Sequence, residues 1–179
     1  VKGFFYYNKR IKMNENINKF FTFPELINEI SARFVAFGVL LVAVPSLILL
    51  VNDNNYAYIL LIGLIYGFLA RVSSGPKISP LALFVTKILV PKLKKREILV
   101  PGPPKRFAQG VGLVFSLFTI LFLFLGLNII AISFLSILIL FASLEAFLGF
   151  CAGCKVFRIM MDIGLIPEDV CEKCANYQF

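Results

Sequence analysis

Four stretches of this chain run for about a bilayer's width with almost no formal charge: Phe34–Val51, Tyr56–Val72, Phe107–Leu127 and Ile129 to about Leu148. Arg71 and Glu145 are the two charged side chains within them. An apolar helix of about 20 residues crosses roughly 30 Å of hydrocarbon, and in lipid the backbone must satisfy its own hydrogen bonds. The expected fold is an all-α integral membrane protein, with four transmembrane helices in a bundle. Composition agrees: 59% of the 179 residues are hydrophobic and 16% are charged, where a soluble domain is nearer half apolar and a quarter charged.

Residues 1–21 form a basic tail with Lys2, Lys9, Arg10, Lys12 and Lys19. No small-residue cleavage site follows an early apolar run, so no cleavable signal peptide is expected. Thr22-Phe23-Pro24-Glu25 reads as a capping box with proline in the first turn. A helix is expected from there, amphipathic at first and wholly apolar through Val51, kinked at Pro45. Asn52–Asn55 is a polar turn. Ser73-Ser74-Gly75-Pro76 ends the second span, and Ser79-Pro80 looks like an N-cap followed by a first-turn proline. Leu81–Val90 is then a short amphipathic helix, either on the membrane surface or packed on the bundle as a connector.

From Arg71 to Arg106 nine basic residues stand against one acid, Glu97. Basic loops flanking spans stay on the cytoplasmic side. This places the middle loop and both termini in the cytoplasm of a multi-pass inner (plasma) membrane protein. The net charge of +8 is explained by topology rather than by nucleic acid, because no basic groove with interleaved aromatics is present. A faint echo links the halves: Arg33-Phe34 opens the first span as Arg106-Phe107 opens the third, and Phe68-Leu69 ends the second as Phe147-Leu148 ends the fourth. In that alignment the Ser73-Ser74-Gly75 turn falls near the cysteines, as two hairpins pointing the same way would require.

The chain has no histidine and no tryptophan, which removes Ser-His-Asp and Cys-His triads and every histidine-bound metal site. Its four cysteines form two C-x-x-C pairs, Cys151/Cys154 and Cys171/Cys174, sixteen residues apart. The spacing fits a four-cysteine metal site, zinc or iron–sulfur, although Lys155 and Ala175 stand where a metal knuckle usually turns. It fits thiol–disulfide chemistry equally. Lys155, Arg158 and Lys173 lie near and favour thiolates, and the tail pair, opening a helix after Pro167-Glu168-Asp169, could exchange with the membrane-proximal pair. A static structural disulfide conflicts with a reducing cytoplasm. Glu145 is the intramembrane carboxylate. On an unbroken helix it lies about 120° from Cys151, off the cysteine face unless the helix breaks at Gly149 or Gly153. It either accepts a proton beside the cysteines or pairs with Arg71, Arg106 or Lys155.

Three long motifs carry a resemblance: Phe23-Pro24 with Ile27-Asn28-Glu29, V-P-G-P-P-K-R-F-A-Q-G at Val100–Gly110, and L-E-A-F-L-G-F-C-A-G-C-K at Leu144–Lys155. With the tail P-E-D-V-C-E-K-C, Pro167–Cys174, they resemble the bacterial membrane family called domain of unknown function 4395, from about Phe21 onward. The resemblance implies association with thioredoxin-like proteins and sulfurtransferases, and so leans toward thiol redox or sulfur handling. The architecture is also similar to quinone-coupled disulfide-forming membrane proteins, which carry their cysteines on the oxidising side.

The sequence thus predicts a basic tail (1–21), a four-helix membrane domain (22–164) and a cysteine tail (165–179). Function is expected to run through Cys151, Cys154, Cys171, Cys174 and Glu145. The chemistry is thiol–disulfide or persulfide exchange with a thioredoxin-like or sulfurtransferase partner. Alternatives are a zinc or iron–sulfur site on the same four cysteines, or transport of a sulfur-containing anion. A quinone is a further candidate cofactor.

Overall fold

The computed structural model describes residues 23–93 and 98–167. Thr22 of the expected capping box, the basic tail, Lys94–Glu97 and the whole 168–179 segment with Cys171 and Cys174 lie outside the described residues.

Four helices are long and apolar enough to cross a membrane. In chain order the elements are strand β1 (Leu26–Asn28), helix α1 (Glu29–Val51), helix α2 (Tyr56–Ser74), a helical arm α3, strand β2 (Leu99–Pro101), helix α4 (Gly102–Phe124), helix α5 (Asn128–Leu148) and helix α6 (Ala152–Asp162). The arm α3 begins as Pro80–Phe84, widens to a π turn at Val85–Leu89 and ends at Val90–Leu93. Helix α5 also finishes in a π turn, Leu144–Leu148.

Helix α1 packs on α2 and α5, and α4 packs on α5 and α2, so the four close into a bundle. Its interior is built from small and aliphatic side chains, among them Ala43, Ala57, Leu61, Ala131 and Leu135. Several buried hydroxyls are satisfied along their own helices: Ser46 donates to the Val42 carbonyl at 2.7 Å and Ser116 to Gly112 at 2.8 Å, whereas those of Ser74 and Ser79 have no partner among the described residues. Small residues at helix contacts are how apolar helices pack when lipid removes the hydrophobic drive between them. The outward faces carry exposed Leu41, Ile59, Leu121 and Ile129. So much exposed apolar surface suits a hydrocarbon surrounding rather than water.

Two helix starts differ from the sequence expectation. The first helix starts at Glu29, capped by Asn28 Oδ1 accepting from Ile30 N at 3.0 Å, and not at Pro24. Leu26–Asn28 instead pairs antiparallel with Leu99–Pro101, Leu26 opposite Pro101 and Asn28 opposite Leu99. That partner is far away in sequence, so no local signal announces the strand. The third helix starts at Gly102, five residues before the expected Phe107. Pro103 and Pro104 look like breakers, but the first helical turn needs no donor and tolerates proline. Helix α1 runs on through Pro45. Ser79 does cap α3 by position, yet its hydroxyl makes no capping bond. The arm lies against α1: Val85 and Val90 join Val35 in one buried cluster, which matches the connector alternative.

The echo holds in three dimensions at the helix openings, Arg33-Phe34 and Arg106-Phe107, but not at the span ends: Phe147 stands two residues before Gly149, where the other half has Ser73 two before Gly75, so Phe68-Leu69 is not its counterpart. Helices α1 and α4 are each 23 residues long and lie 73 positions apart at both ends. Strands β1 and β2 sit at the same offset, and the pair Ile27–Val100 is the centre of their antiparallel ladder, as a two-fold axis through it requires. Arg33, opening α1, donates through Nη2 to the Phe147 carbonyl at the end of α5 at 2.7 Å. Arg106, opening α4, donates through Nε to the Val72 carbonyl near the end of α2 at 2.9 Å. Each hairpin's first helix thus ties down the last turn of the other hairpin, satisfying carbonyls that a helix end leaves without partners. The bundle is a parallel repeat of two helical hairpins.

Candidate functional site

The cysteine motif sits where α5 stops. Gly149 takes φ 70°, a left-handed conformation that a glycine adopts without steric cost. Its N–H donates to the Glu145 carbonyl, and Phe150 N donates to Leu144, both at 3.1 Å. A side chain at this position would also press on Glu29 Oε1. The chain turns sharply, and Cys151 becomes the N-cap of a new helix, α6, with extended backbone.

From that corner the two cysteines acquire different environments. Cys151 is partly exposed and its Sγ accepts from the Cys154 backbone N–H at 3.3 Å. Cys154, one turn into α6, is 1% exposed. Their Cα atoms are 5.2 Å apart and the sulfurs are joined as a disulfide, a separation within the range for such bonds. Helix α6 is held against α4 by Gly153, where a Cβ would come within 2.6 Å of the Ala108 Cβ. Phe157 stacks obliquely on Phe107 with centroids 5.7 Å apart. Cys154 is thereby fixed in the packed layer, and Cys151 is left at its rim.

Glu145 occupies the π turn before the break. Because the helix breaks at Gly149, Glu145 and Cys151 come to line one cavity of about 210 Å³, together with Gln109, Phe68 and Phe107. Of the partners expected for Glu145 (Arg71, Arg106 and Lys155), Arg71 stands near enough to interact with it electrostatically, but the ion pair forms with Lys105, which was not among them: Lys105 Nζ lies 2.7 Å from Glu145 Oε1, with the side chains 7% and 13% exposed. The early start of α4 is the cause. It puts Lys105 inside the first turn of the helix, facing the bundle, rather than in the basic loop.

Arg71 is 5% exposed. Its Nε donates to Gln109 Oε1 at 2.7 Å, and its guanidinium carbon lies 4.6 Å from the centre of the Phe68 ring. Its Nη2 is buried with no hydrogen-bond partner among the described residues. Arg71, Lys105 and Gln109 line a second cavity of about 510 Å³ beneath α3, with Asn28, Ser31 and Thr86. Gln109 borders both cavities.

Of the expected site residues, the fold gathers Cys151, Cys154 and Glu145; Cys171 and Cys174 lie outside the described residues. Among the described residues no three metal-ligating side chains gather. The sequence reading missed Lys105 and Gln109 as site residues. Their signal was a four-residue spacing, which places two polar groups on one face of a helix. The signal was hidden because Lys105 was counted with the loop.

The family model described as Domain of unknown function (DUF4395) matches residues 27–162, from β1 to the end of α6. No curated protein and no solved structure matches the chain. The matched span takes in both hairpins, the Lys105–Glu145 pair and the first cysteine pair, so the chain belongs to the DUF4395 family.

Proposed function

We propose that this protein is a membrane thiol–disulfide exchange protein in which Cys151 is the attacking thiol and Cys154 the resolving one. The observation that carries this is the asymmetry of the pair. Cys151 caps a helix, receives a backbone N–H and reaches the rim; Cys154 is buried one turn later within bonding range. A helix N-terminus and a donated N–H favour thiolate over thiol. The reduced protein reacts in two steps. Cys151 thiolate attacks one sulfur of a partner disulfide, forming a mixed disulfide and releasing one partner thiolate. Cys154 then gives up its proton and attacks Cys151 Sγ, forming the intrachain disulfide and releasing the second partner thiolate. Two electrons pass to the partner, and the reverse sequence returns them. Glu145, on the same cavity wall as Cys151, accepts the proton that leaves a thiol, with Lys105 holding it in place.

The proposed partner is a soluble thioredoxin-like protein or sulfurtransferase; transfer of sulfane sulfur as a persulfide at Cys151 would use the same two thiols. Cys171 and Cys174 relay to this pair. The proposed setting is the inner membrane with the cysteines facing the cytoplasm. That orientation is supported by Lys77, Lys87, Lys92, Lys105, Arg106 and Lys155 lying in or beside the elements at the cysteine end of the hairpins, while Asp53 marks the opposite turn.

The test uses anaerobically purified protein and an oxidised thioredoxin. Cys154→Ser is expected to accumulate a covalent adduct through Cys151, and Cys151→Ser to give none. Equal adducts from both variants would overturn the assignment of roles. One equivalent of bound zinc or iron that is lost with any of the four cysteines would instead establish the metal site.

A further inference from the structure

The larger cavity holds a charge that the thiol reading does not use. Among the described residues that line it, Arg71 and Lys105 are the charged ones, both are cations and no carboxylate faces it. Glu145 is engaged by Lys105 from the neighbouring cavity. One carboxylate between two buried cations leaves a net positive charge. Arginine cannot shed its proton to escape burial, and a buried charge without a partner is strongly disfavoured. Arg71 is held on two sides, by Gln109 Oε1 and by the Phe68 ring, while Nη2 is left without a partner among the described residues.

We infer that this cavity binds an oxyanion group, a phosphate, sulfonate or carboxylate, carried on an apolar body. Arg71 Nη2 is the primary donor. Planar, fork-like donors suit such oxygens. Ser31 of α1 and Gln109 and Lys105 of α4 also line the cavity and can add hydrogen bonds. The remaining lining is apolar, with Pro24, Ile27, Val35 and Ala82 among it, and this sets the character of the rest of the ligand. A volume of about 510 Å³ lies in the range of small-molecule sites, roughly 300–1,000 Å³. Arg71 stands one turn before the end of α2, near the depth where a span meets headgroups. The same chemistry therefore comes from two sources, an anionic lipid headgroup or a free organic anion. The cysteine pair borders the other cavity, and Lys105 and Gln109 link the two.

The experiment uses the full chain in phosphatidylcholine nanodiscs, with hexyl phosphate and inorganic phosphate titrated calorimetrically, and a parallel preparation with phosphatidylglycerol examined by native mass spectrometry. Saturable hexyl phosphate binding points to a free anion, and retained phosphatidylglycerol points to a lipid. Either result supports the site if it is lost, at least tenfold, in Arg71→Gln and kept in Lys87→Gln, which removes an exposed cation of the same arm. Ala32→Leu, which fills the cavity and leaves the charges alone, serves where Arg71→Gln does not fold, and it too must lose binding. Binding equal to the unaltered protein in Arg71→Gln or Ala32→Leu, or no binding of any probe by the unaltered protein, overturns the inference.

Discussion

The hairpin α1–α2 with its arm α3 and the hairpin α4–α5 with its arm α6 are assembled from matching parts. Each second helix ends on a glycine with positive φ, Gly75 at 63° and Gly149 at 70°. Each arm folds back on the first helix of its own hairpin, against Phe34-Val35 in one half and the equivalent Phe107-Ala108 in the other. The halves diverge in what these parts carry. The arm cap is Ser79 in the first and Cys151 in the second, and three residues on stand Ala82 and Cys154, both buried. Four residues before the glycine stand Arg71 and Glu145, of opposite sign. Lys105 and Gln109 of α4, which engage those two residues, correspond to Ala32 and Ala36 of α1. A duplicated frame therefore supplies two corresponding corners that differ in detail, Gly75 with ψ −137° leading into a 3-10 turn and Gly149 with ψ 9° leading to the Cys151 cap. The cysteines and Glu145 stand on one copy, while the other corner borders the cavity lined by Arg71 and Lys105.

The largest expected effect tests the opposite-sign pair. Glu145→Ala strands a buried lysine and should destabilise the protein by about 3–5 kcal/mol, whereas Lys105→Met with Glu145→Leu should restore most of that loss. Thermal unfolding in detergent measures both, and equal stability of the single and double variants would dissolve the pair. Next come the two corners. Gly149→Ala forces a left-handed backbone on a residue with a Cβ, at about 1–2 kcal/mol, and Gly75→Ala forces a positive φ with an extended ψ of −137°, a region open essentially to glycine alone. Gly75→Ala should cost more, because its Cβ meets the Pro24 ring at 2.8 Å, whereas at Gly149 it meets the movable end of Glu29 at 3.1 Å. The reverse order would mean that the Pro24 contact does not set the cost at Gly75.

Smaller still are the reciprocal ties. Arg33→Ala and Arg106→Ala each remove an exposed hydrogen bond to a helix-end carbonyl, and each should cost about 1 kcal/mol. A large difference between them would break the repeat. The smallest effect on stability, under about 1 kcal/mol, is expected from Ser79→Cys with Ala82→Cys, which copies the cysteine spacing onto α3. In a background without the native cysteines this variant should form an intrachain disulfide, seen as loss of maleimide labelling. Persistent free thiols would show that the cysteine corner has a geometry the other lacks.

The spans were legible because their signal is local: each is a run of apolar residues long enough to cross hydrocarbon, and nothing distant is needed to read it. The cysteine pair was legible as a spacing. The placement of Glu145 was legible only conditionally, because helical-wheel arithmetic separates it from Cys151 unless the helix breaks at Gly149 or Gly153, and no local signal says whether it does. Once that glycine turns the chain, residues that the wheel separates face one cavity. Lys105 was obscured for a related reason, since two prolines that look like a loop in sequence are in fact the opening turn of α4.

Sequence by itself determined the number and nature of the spans, the uneven placement of basic residues and the unusual clustering of sulfur, since apolar length and residue type decide these without reference to neighbours. Tertiary structure alone decided that β1 pairs with β2, that the arginines at Arg33 and Arg106 cross over to the opposite hairpin, and that Glu145 meets Lys105 while Arg71 meets Gln109. Those choices join residues 34 to 114 positions apart. They follow from how four helices fit together, which no window of the sequence contains.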